Sequence, residues 1–191
     1  MLNLAVSKYE KIKSQNLTLW MNNLLVVYAF LIPVSGRGKT TIFVFILLLF
    51  LIRGNFKYYL SKAYNNRVVQ AFLLFYLVHV IWLFGTENFT YAKLIFDDMK
   101  YLLFPLLFLS FFDERYTFRV ISAFIIGMFY SEILSYFIYF DVLPYKLELF
   151  NLEIYKAYDS NNPTPFLNHV RYTVFLSFVV ALLLKKAIGK K

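Results

Sequence analysis

The chain has 191 residues, of which 60% are hydrophobic, 21% aromatic and 16% charged. An average soluble domain is about 45–50% apolar and about 25% charged, so this composition indicates a membrane protein. The absence of cysteine excludes a disulfide framework and a thiolate metal site. The formal net charge is +9. Its basic residues are scattered between apolar runs, which favours the cytoplasmic loops of a membrane protein over nucleic-acid binding.

The N-terminal residues 1–16 are polar and include Lys8, Lys11 and Lys13. The apolar run that follows is long and has no small-residue cleavage site, which indicates a retained span rather than a cleaved signal peptide. We therefore expect residues 1–16 to form a cytoplasmic segment.

Six apolar runs follow, and each predicts a transmembrane helix, because a span requires about 20 mostly apolar residues. Pro105 is expected to kink the fourth helix. The predicted fold is an all-α membrane domain over residues 17–184. A longer outer loop, residues 141–168, precedes the last helix, and a basic tail covers residues 185–191. The predicted spans are residues 17–34, 40–52, 68–84, 101–112, 118–140 and 170–184.

The lysines and arginines between the spans predict the orientation of the chain. They are more numerous in the segments that would share a side with the N-terminus, and cytoplasmic loops carry such an excess. Both termini are therefore expected in the cytoplasm. The basic residues placed on that side are Lys8, Lys11, Lys13, Arg53, Lys57, Lys62, Arg67, Arg115, Arg119, Lys185, Lys186, Lys190 and Lys191.

The first outer turn contains Gly36-Arg-Gly-Lys-Thr-Thr41, which resembles the end of a phosphate-binding P-loop. Pro33 stands where that motif requires its first glycine, and no predicted strand precedes it, so we reject nucleotide binding. A tight turn between two spans is the simple interpretation. Arg37 and Lys39 would still present positive charge at the outer surface, where they could attract the diphosphate of a lipid carrier.

The fifth run carries a row of small residues, Ala123, Gly127, Ser131 and Ser135, at every fourth position. This spacing lets two helix backbones approach closely, so the row predicts a packing face. Glu132 lies beside it. An ionisable residue inside a span indicates a functional site by default, and a hydrogen-bonded structural acid is the alternative.

His79 lies in the third run, and two roles are open for it. It could be a hydrogen-bonded packing residue. It could instead form, with Glu132, the proton-handling pair of a small transporter.

The outer loop enters the last helix through Pro163 and Pro165, which favour a fixed turn. Asn168 could cap the helix that follows. His169 and Arg171 would then lie in its first turn, where a cation is unfavourable for the helix dipole. A carboxylate or a bound phosphate close to Arg171 would explain the arrangement.

Three stretches, in chain order, resemble segments of bacterial O-antigen ligase family proteins. In the family a Pro-Thr-Pro-Phe turn leads through a pair of histidines into a Tyr-containing span, and here Asn168 stands in place of the first histidine. Family members are longer, and their catalytic outer loop lies in a second half. The chain is therefore expected to correspond to the N-terminal half. The three stretches are Ile32-Pro-Val-Ser-Gly-Arg37, residues 121–136 and residues 162–178.

The resemblance implies a metal-independent glycosyltransferase of lipopolysaccharide biosynthesis, without cofactor, as a multi-pass protein of the bacterial inner membrane. Such an enzyme moves a glycan from undecaprenyl diphosphate to the lipid A–core acceptor. On this interpretation Arg37, Lys39 and Arg171 bind the diphosphate, and His169 is the candidate base for the acceptor hydroxyl. We expect the chain to be inactive alone, and to associate with a C-terminal partner half or with itself.

Two other functions remain open at this point. The chain could be a small non-enzymatic, multi-spanning protein of envelope polysaccharide assembly. It could also be a small transporter that uses Glu132 and His79.

Overall fold

The computed structural model describes residues 2–149, 152–157, 163–167 and 169–188. Asn168, the expected helix cap, and the basic tail from residue 189 lie outside the described residues. The helices are α1 (Leu2–Leu31), α2 (Gly36–Arg53), α3 (Phe56–Tyr64), α4 (Arg67–Leu83), α5 (Phe89–Met99), α6 (Phe104–Phe111), α7 (Thr117–Tyr139) and α8 (His169–Ile188). The strands are β1 (Lys146–Leu149) and β2 (Leu152–Lys156), and short 3-10 helices cover Lys100–Leu103 and Glu114–Tyr116.

The prediction of about six transmembrane helices is wrong. In the described part of the chain, a single helical stretch, Glu114–Tyr139, is long and apolar enough to cross a bilayer on its own. Helices α2 and α3 would supply a second crossing only as one broken span, because they are bent by 118° at the break between them.

The other apolar helices do not have the length or composition needed to cross a bilayer, and the reason differs from helix to helix. Helix α4 has 17 residues and α6 has 8, whereas a span needs about 20. Helix α8 has 20 residues but includes Arg171, Lys185 and Lys186. In α1 the apolar part is interrupted by Asn22 and Asn23. The apolar runs therefore do form helices, but most of them lack the uninterrupted length that a bilayer crossing requires.

The outer loop, predicted without regular structure, contains an antiparallel β-hairpin, so the chain is not all-α. Lys146 pairs with Lys156 and Leu149 with Leu152, with an irregularity in the register after Leu147. Apolar and polar residues alternate along β1 and at the start of β2, which is the pattern of a strand with one buried face. The buried side chain of β2 is nevertheless Tyr155, whereas Ile154 is exposed.

Pro105 does not kink a long helix as predicted. Helix α6 begins at Phe104, directly after the 3-10 helix, and Pro105 occupies its first turn. Proline is favoured there because its missing N–H would have had no partner inside the helix. The proline therefore defines the start of α6.

The chain forms two compact units. The first comprises Met1–Thr18 and Phe50–Asp113. Within it α4 packs against α5, where the rings of Tyr76 and Phe96 are 5.3 Å apart. The Arg53 guanidinium lies over the Tyr59 ring, 3.5 Å from its centre.

The second unit comprises Leu19–Leu49 and Glu114–Lys191. Its core lies between α7 and α8, where Met128, Tyr172 and Val179 are buried together. Phe124 of α7 meets Phe175 of α8 edge to face, with ring centres 5.5 Å apart. All the diphosphate-binding candidates lie in this unit.

Gly127 lets α7 approach the end of α1 closely. A Cβ atom at this position would lie 2.4 Å from the Phe30 carbonyl oxygen and 2.9 Å from Pro33 Cγ. Ser131 and Ser135, further along the same face, are buried. The prediction that the small-residue row is a packing face is therefore confirmed, and residues of this same chain cover the row.

Candidate functional site

The start of α2 and the start of α8 both belong to the second unit, and a cation in the first turn of each is close enough to affect the other. Lys39, in the first turn of α2, lies within electrostatic reach of Arg171, in the first turn of α8. Lys39 is half-buried and Arg171 is exposed. Like charges brought together repel, and the repulsion grows as water is excluded. The fold thus holds two cations in an arrangement that a bound anion would stabilise.

The position of Lys39 and Arg37 is fixed by the turn that precedes α2. Ser35 caps this helix: its Oγ accepts a hydrogen bond from the Gly38 N–H at 3.0 Å, and its carbonyl accepts one from the Lys39 N–H at 3.1 Å. Ser at this position is a preferred helix cap. The tight turn expected from the sequence is present, and it presents Arg37 and Lys39 from the first turn of α2.

Arg37 lines a cavity of about 310 Å³ between the start of α2, strand β2 and the Pro165 turn. Arg37 of α2 and Lys156 of β2 both line this cavity, and both are exposed. The lining residues are Ser35, Gly36, Arg37, Ile154, Tyr155, Lys156, Thr164, Pro165, Phe166 and Leu167.

Backbone hydrogen bonds anchor the hairpin that carries Lys156. The Lys156 N–H donates to the Pro165 carbonyl at 3.3 Å, and the Ala157 N–H donates to the Tyr145 carbonyl at 2.8 Å. The Tyr155 hydroxyl donates to the Pro144 carbonyl at 2.9 Å. Burial, and to a lesser extent the nearby Tyr130 phenol, raises the pKa of Tyr155.

A second cavity, of about 220 Å³, opens beside Glu132. The Tyr172 hydroxyl donates a hydrogen bond to Oε2 of Glu132. Glu132 therefore has the partner expected of a structural acid, and it also faces a space that a small molecule could enter. The lining residues are Glu132, Ser135, Tyr136, Tyr139, Pro163, Thr164 and Tyr172.

His169 is exposed at the first residue of α8, two positions before Arg171. Its carbonyl accepts a hydrogen bond from the Thr173 hydroxyl at 2.8 Å. It thus belongs to the same end of the second unit as the cationic residues, and its role as a base stays a prediction.

His79 lies in the first unit, whereas Glu132 lies in the second. Its Nδ1 donates to the Phe75 carbonyl at 2.8 Å, because a carbonyl oxygen can only accept. Its ring packs edge to face on Phe75, with centres 4.6 Å apart. These contacts favour the packing role over proton handling.

Two residues of the site, Lys156 and Tyr172, were not predicted from the sequence. Lys156 could have been found from the alternation of apolar and polar residues around Ile154, which predicts a strand. Tyr172 carried no comparable signal, because its partner Glu132 is 40 residues away. No group of three or more acidic or histidine side chains placed to hold a metal ion occurs among the described residues.

No protein-family model matches the chain, and no curated protein or solved structure is similar enough to count as a match.

Proposed function

We propose that the protein acts in membrane glycan transfer, and that it binds the diphosphate of a polyprenyl-linked glycan through Lys39, Arg171 and Arg37. The observation that supports this proposal is that Lys39 lies within electrostatic reach of Arg171, although the two cations come from distant parts of the sequence. Like charges repel, so their proximity costs free energy. An anionic ligand that bridges them would offset this cost.

A diphosphate suits this pair of side chains. A guanidinium can bind two phosphate oxygens side by side, and an ammonium group acts as a compact point charge on a third. Both residues lie in the first turns of their helices, where backbone N–H groups also favour negative charge. The ligand would therefore be held by charge and by hydrogen bonds together.

The apolar surface of the protein supports a membrane location. Large apolar side chains are exposed along several helices, including Phe45 of α2, Leu74 of α4, Ile133 of α7 and Val174 of α8. Soluble monomers rarely expose large contiguous apolar patches. Lipid tails would cover these side chains, and α7 is long enough to cross the bilayer. The diphosphate end of a lipid carrier would then lie close to the cationic residues.

The transfer step itself follows from the sequence resemblance to O-antigen ligases. The carrier diphosphate would be the leaving group, and the lipid A–core hydroxyl the acceptor. In this scheme Lys39 and Arg171 neutralise the leaving diphosphate, and His169 accepts the proton of the acceptor hydroxyl.

Carrier binding is tested with the full chain in nanodiscs of neutral lipid, with and without undecaprenyl diphosphate. We expect Lys39→Gln and Arg171→Gln each to weaken binding about tenfold or more, since each removes a charged hydrogen bond. Lys186→Gln, at the other end of α8, is the matched control and should bind like the wild type. Equal affinity in all four proteins would refute the proposal.

Glycan transfer needs its own experiment. The chain is expressed in ligase-deficient bacteria together with the second half of an O-antigen ligase, and lipopolysaccharide is analysed by gel electrophoresis. We expect a glycan ladder that is lost with Arg171→Ala and kept with Lys186→Gln. A bare core band with the wild-type chain would count against a role in transfer, even if the carrier binds.

A further inference from the structure

The cavity between the start of α2 and the hairpin brings together two cations that are far apart in sequence. Arg37 comes from the first turn of α2, and Lys156 from the end of β2. Neither side chain forms a salt bridge with an acidic residue in the part of the chain that the structure describes. Lys146, opposite Lys156 in the hairpin register, does form one, with Glu148.

The size of the cavity limits what it can hold. Its volume is about 310 Å³, at the lower end of the about 300–1,000 Å³ typical of ligand sites. A phosphate or diphosphate group fits such a space, whereas a glycan of several sugars does not. The cations would attract that group, and the Lys156 backbone, tied to the Pro165 carbonyl, keeps the strand end in place.

We infer that this cavity is a phosphate-binding site in which Arg37 of α2 and Lys156 of β2 together hold the anion. The inference rests on the proposed function only for the molecule that carries the phosphate, which would be the lipid carrier. It adds Lys156, and with it the hairpin, to the binding residues. The hairpin then closes one side of the headgroup site.

Gly36 provides a test that leaves the charges unchanged. It lines the cavity, and a Cβ atom built at this position meets no other atom within 4 Å. Gly36→Leu should therefore fold normally while filling part of the space that the phosphate would occupy. Gly85→Ala is the matched control, because its added Cβ also meets only ordinary contact distances.

The experiment measures binding of inorganic pyrophosphate to the full chain in neutral detergent by isothermal titration calorimetry. We expect Arg37→Gln, Lys156→Gln and Gly36→Leu each to raise the Kd about tenfold or more, because a charged hydrogen-bond partner or the space itself is lost. Lys146→Gln and Gly85→Ala should stay within about twofold of the wild type. Circular dichroism and thermal unfolding establish that each variant is folded.

The outcomes separate this inference from the proposed function. Equal weakening by Lys156→Gln and Lys146→Gln would show nonspecific attraction and overturn the inference, as would wild-type affinity in Gly36→Leu. Carrier binding that depends on Lys39 and Arg171 but not on Lys156 would also overturn it, while leaving the proposed function standing. Pyrophosphate binding that depends on Lys156, without any carrier binding, would support a phosphate site in the cavity and refute the proposed function.

Discussion

Tyr172 of α8 donates a hydrogen bond to Oε2 of Glu132 of α7, across 40 residues of sequence. Glu132 is half-buried and Tyr172 is buried, and both line the cavity beside Pro163. The bond orients the carboxylate and ties α8 to α7. It also gives this acid a structural role, whether or not a ligand enters the cavity.

Tyr172→Phe should therefore destabilise the protein. It removes a hydrogen bond to a charged group, whose net contribution is about 1.5–3 kcal/mol. The control is Tyr136→Phe, which alters an exposed tyrosine of the same cavity and should be nearly neutral. Chemical unfolding followed by circular dichroism in one detergent measures both. A loss no larger for Tyr172→Phe than for Tyr136→Phe would mean that the bond contributes no stability.

Gly127→Ala should be strongly destabilising, although alanine is normally the better helix residue. The added Cβ would meet the Phe30 carbonyl oxygen at 2.4 Å, and a backbone atom cannot move aside as a flexible side chain can. We expect a loss of about 1–3 kcal/mol, as for other overpacked sites. The same change at Gly85 is the control, and unfolding midpoints of the two variants give the comparison. Similar midpoints would show that α7 and α1 separate easily.

Lys39→Gln should raise the stability of the ligand-free protein while it weakens diphosphate binding. Removing one of two repelling cations relieves an interaction of up to about 1 kcal/mol, the range of exposed charge pairs. Arg171→Gln removes the same repulsion together with the other contacts of Arg171, so the double variant should gain less than the sum of the two single changes. Thermal unfolding without ligand measures this. Strictly additive gains would place the two charges out of reach of each other.

The stability of the protein should fall above pH 10 partly through Tyr155. Burial raises its pKa in the folded state, so the unfolded chain, with an ordinary tyrosine pKa of about 10, loses this proton first. Ionisation of the unfolded state then favours unfolding as the pH rises. In Tyr155→Phe the stability should be about 1 kcal/mol lower at neutral pH, since the hydrogen bond to Pro144 is lost. The stability of this variant should also decline less than that of the wild type at alkaline pH.

Unfolding free energies at about pH 8 and about pH 11 test this prediction, with Tyr139→Phe as an exposed control. The control should decline with pH as the wild type does. An equally steep decline in Tyr155→Phe would assign the alkaline loss to other groups.

The apolar runs of the sequence predicted the positions of several helices to within a few residues. The run at residues 118–140 became α7 (Thr117–Tyr139), and that at residues 68–84 became α4 (Arg67–Leu83). Hydrophobicity marks such segments because the backbone must satisfy its own hydrogen bonds wherever water is excluded. It does not reveal how long each helix runs before a break or a charged residue, and for this reason the count of about six spans was wrong.

Shorter and less apolar elements were not predicted. Helix α3 and helix α5 have mixed composition, and the hairpin lies in a segment interpreted as a loop. The alternation in the hairpin strands was present in the sequence, but strands this short are stable only through the surfaces that they pack against. Ile138 of α7 and Phe166 provide such a surface for Tyr155.

By itself, the sequence determined where the long apolar helices lie, that Gly127 lies on a packing face, and that Arg37, Lys39 and Arg171 are cations beside turns. These properties depend on residues that are neighbours along the chain. Only the tertiary structure decided that Lys39 lies within electrostatic reach of Arg171, that Lys156 lines the cavity of Arg37, and that Tyr172 binds Glu132. Each of these relationships joins distant segments, and it depends on how helices and hairpin pack rather than on any local pattern.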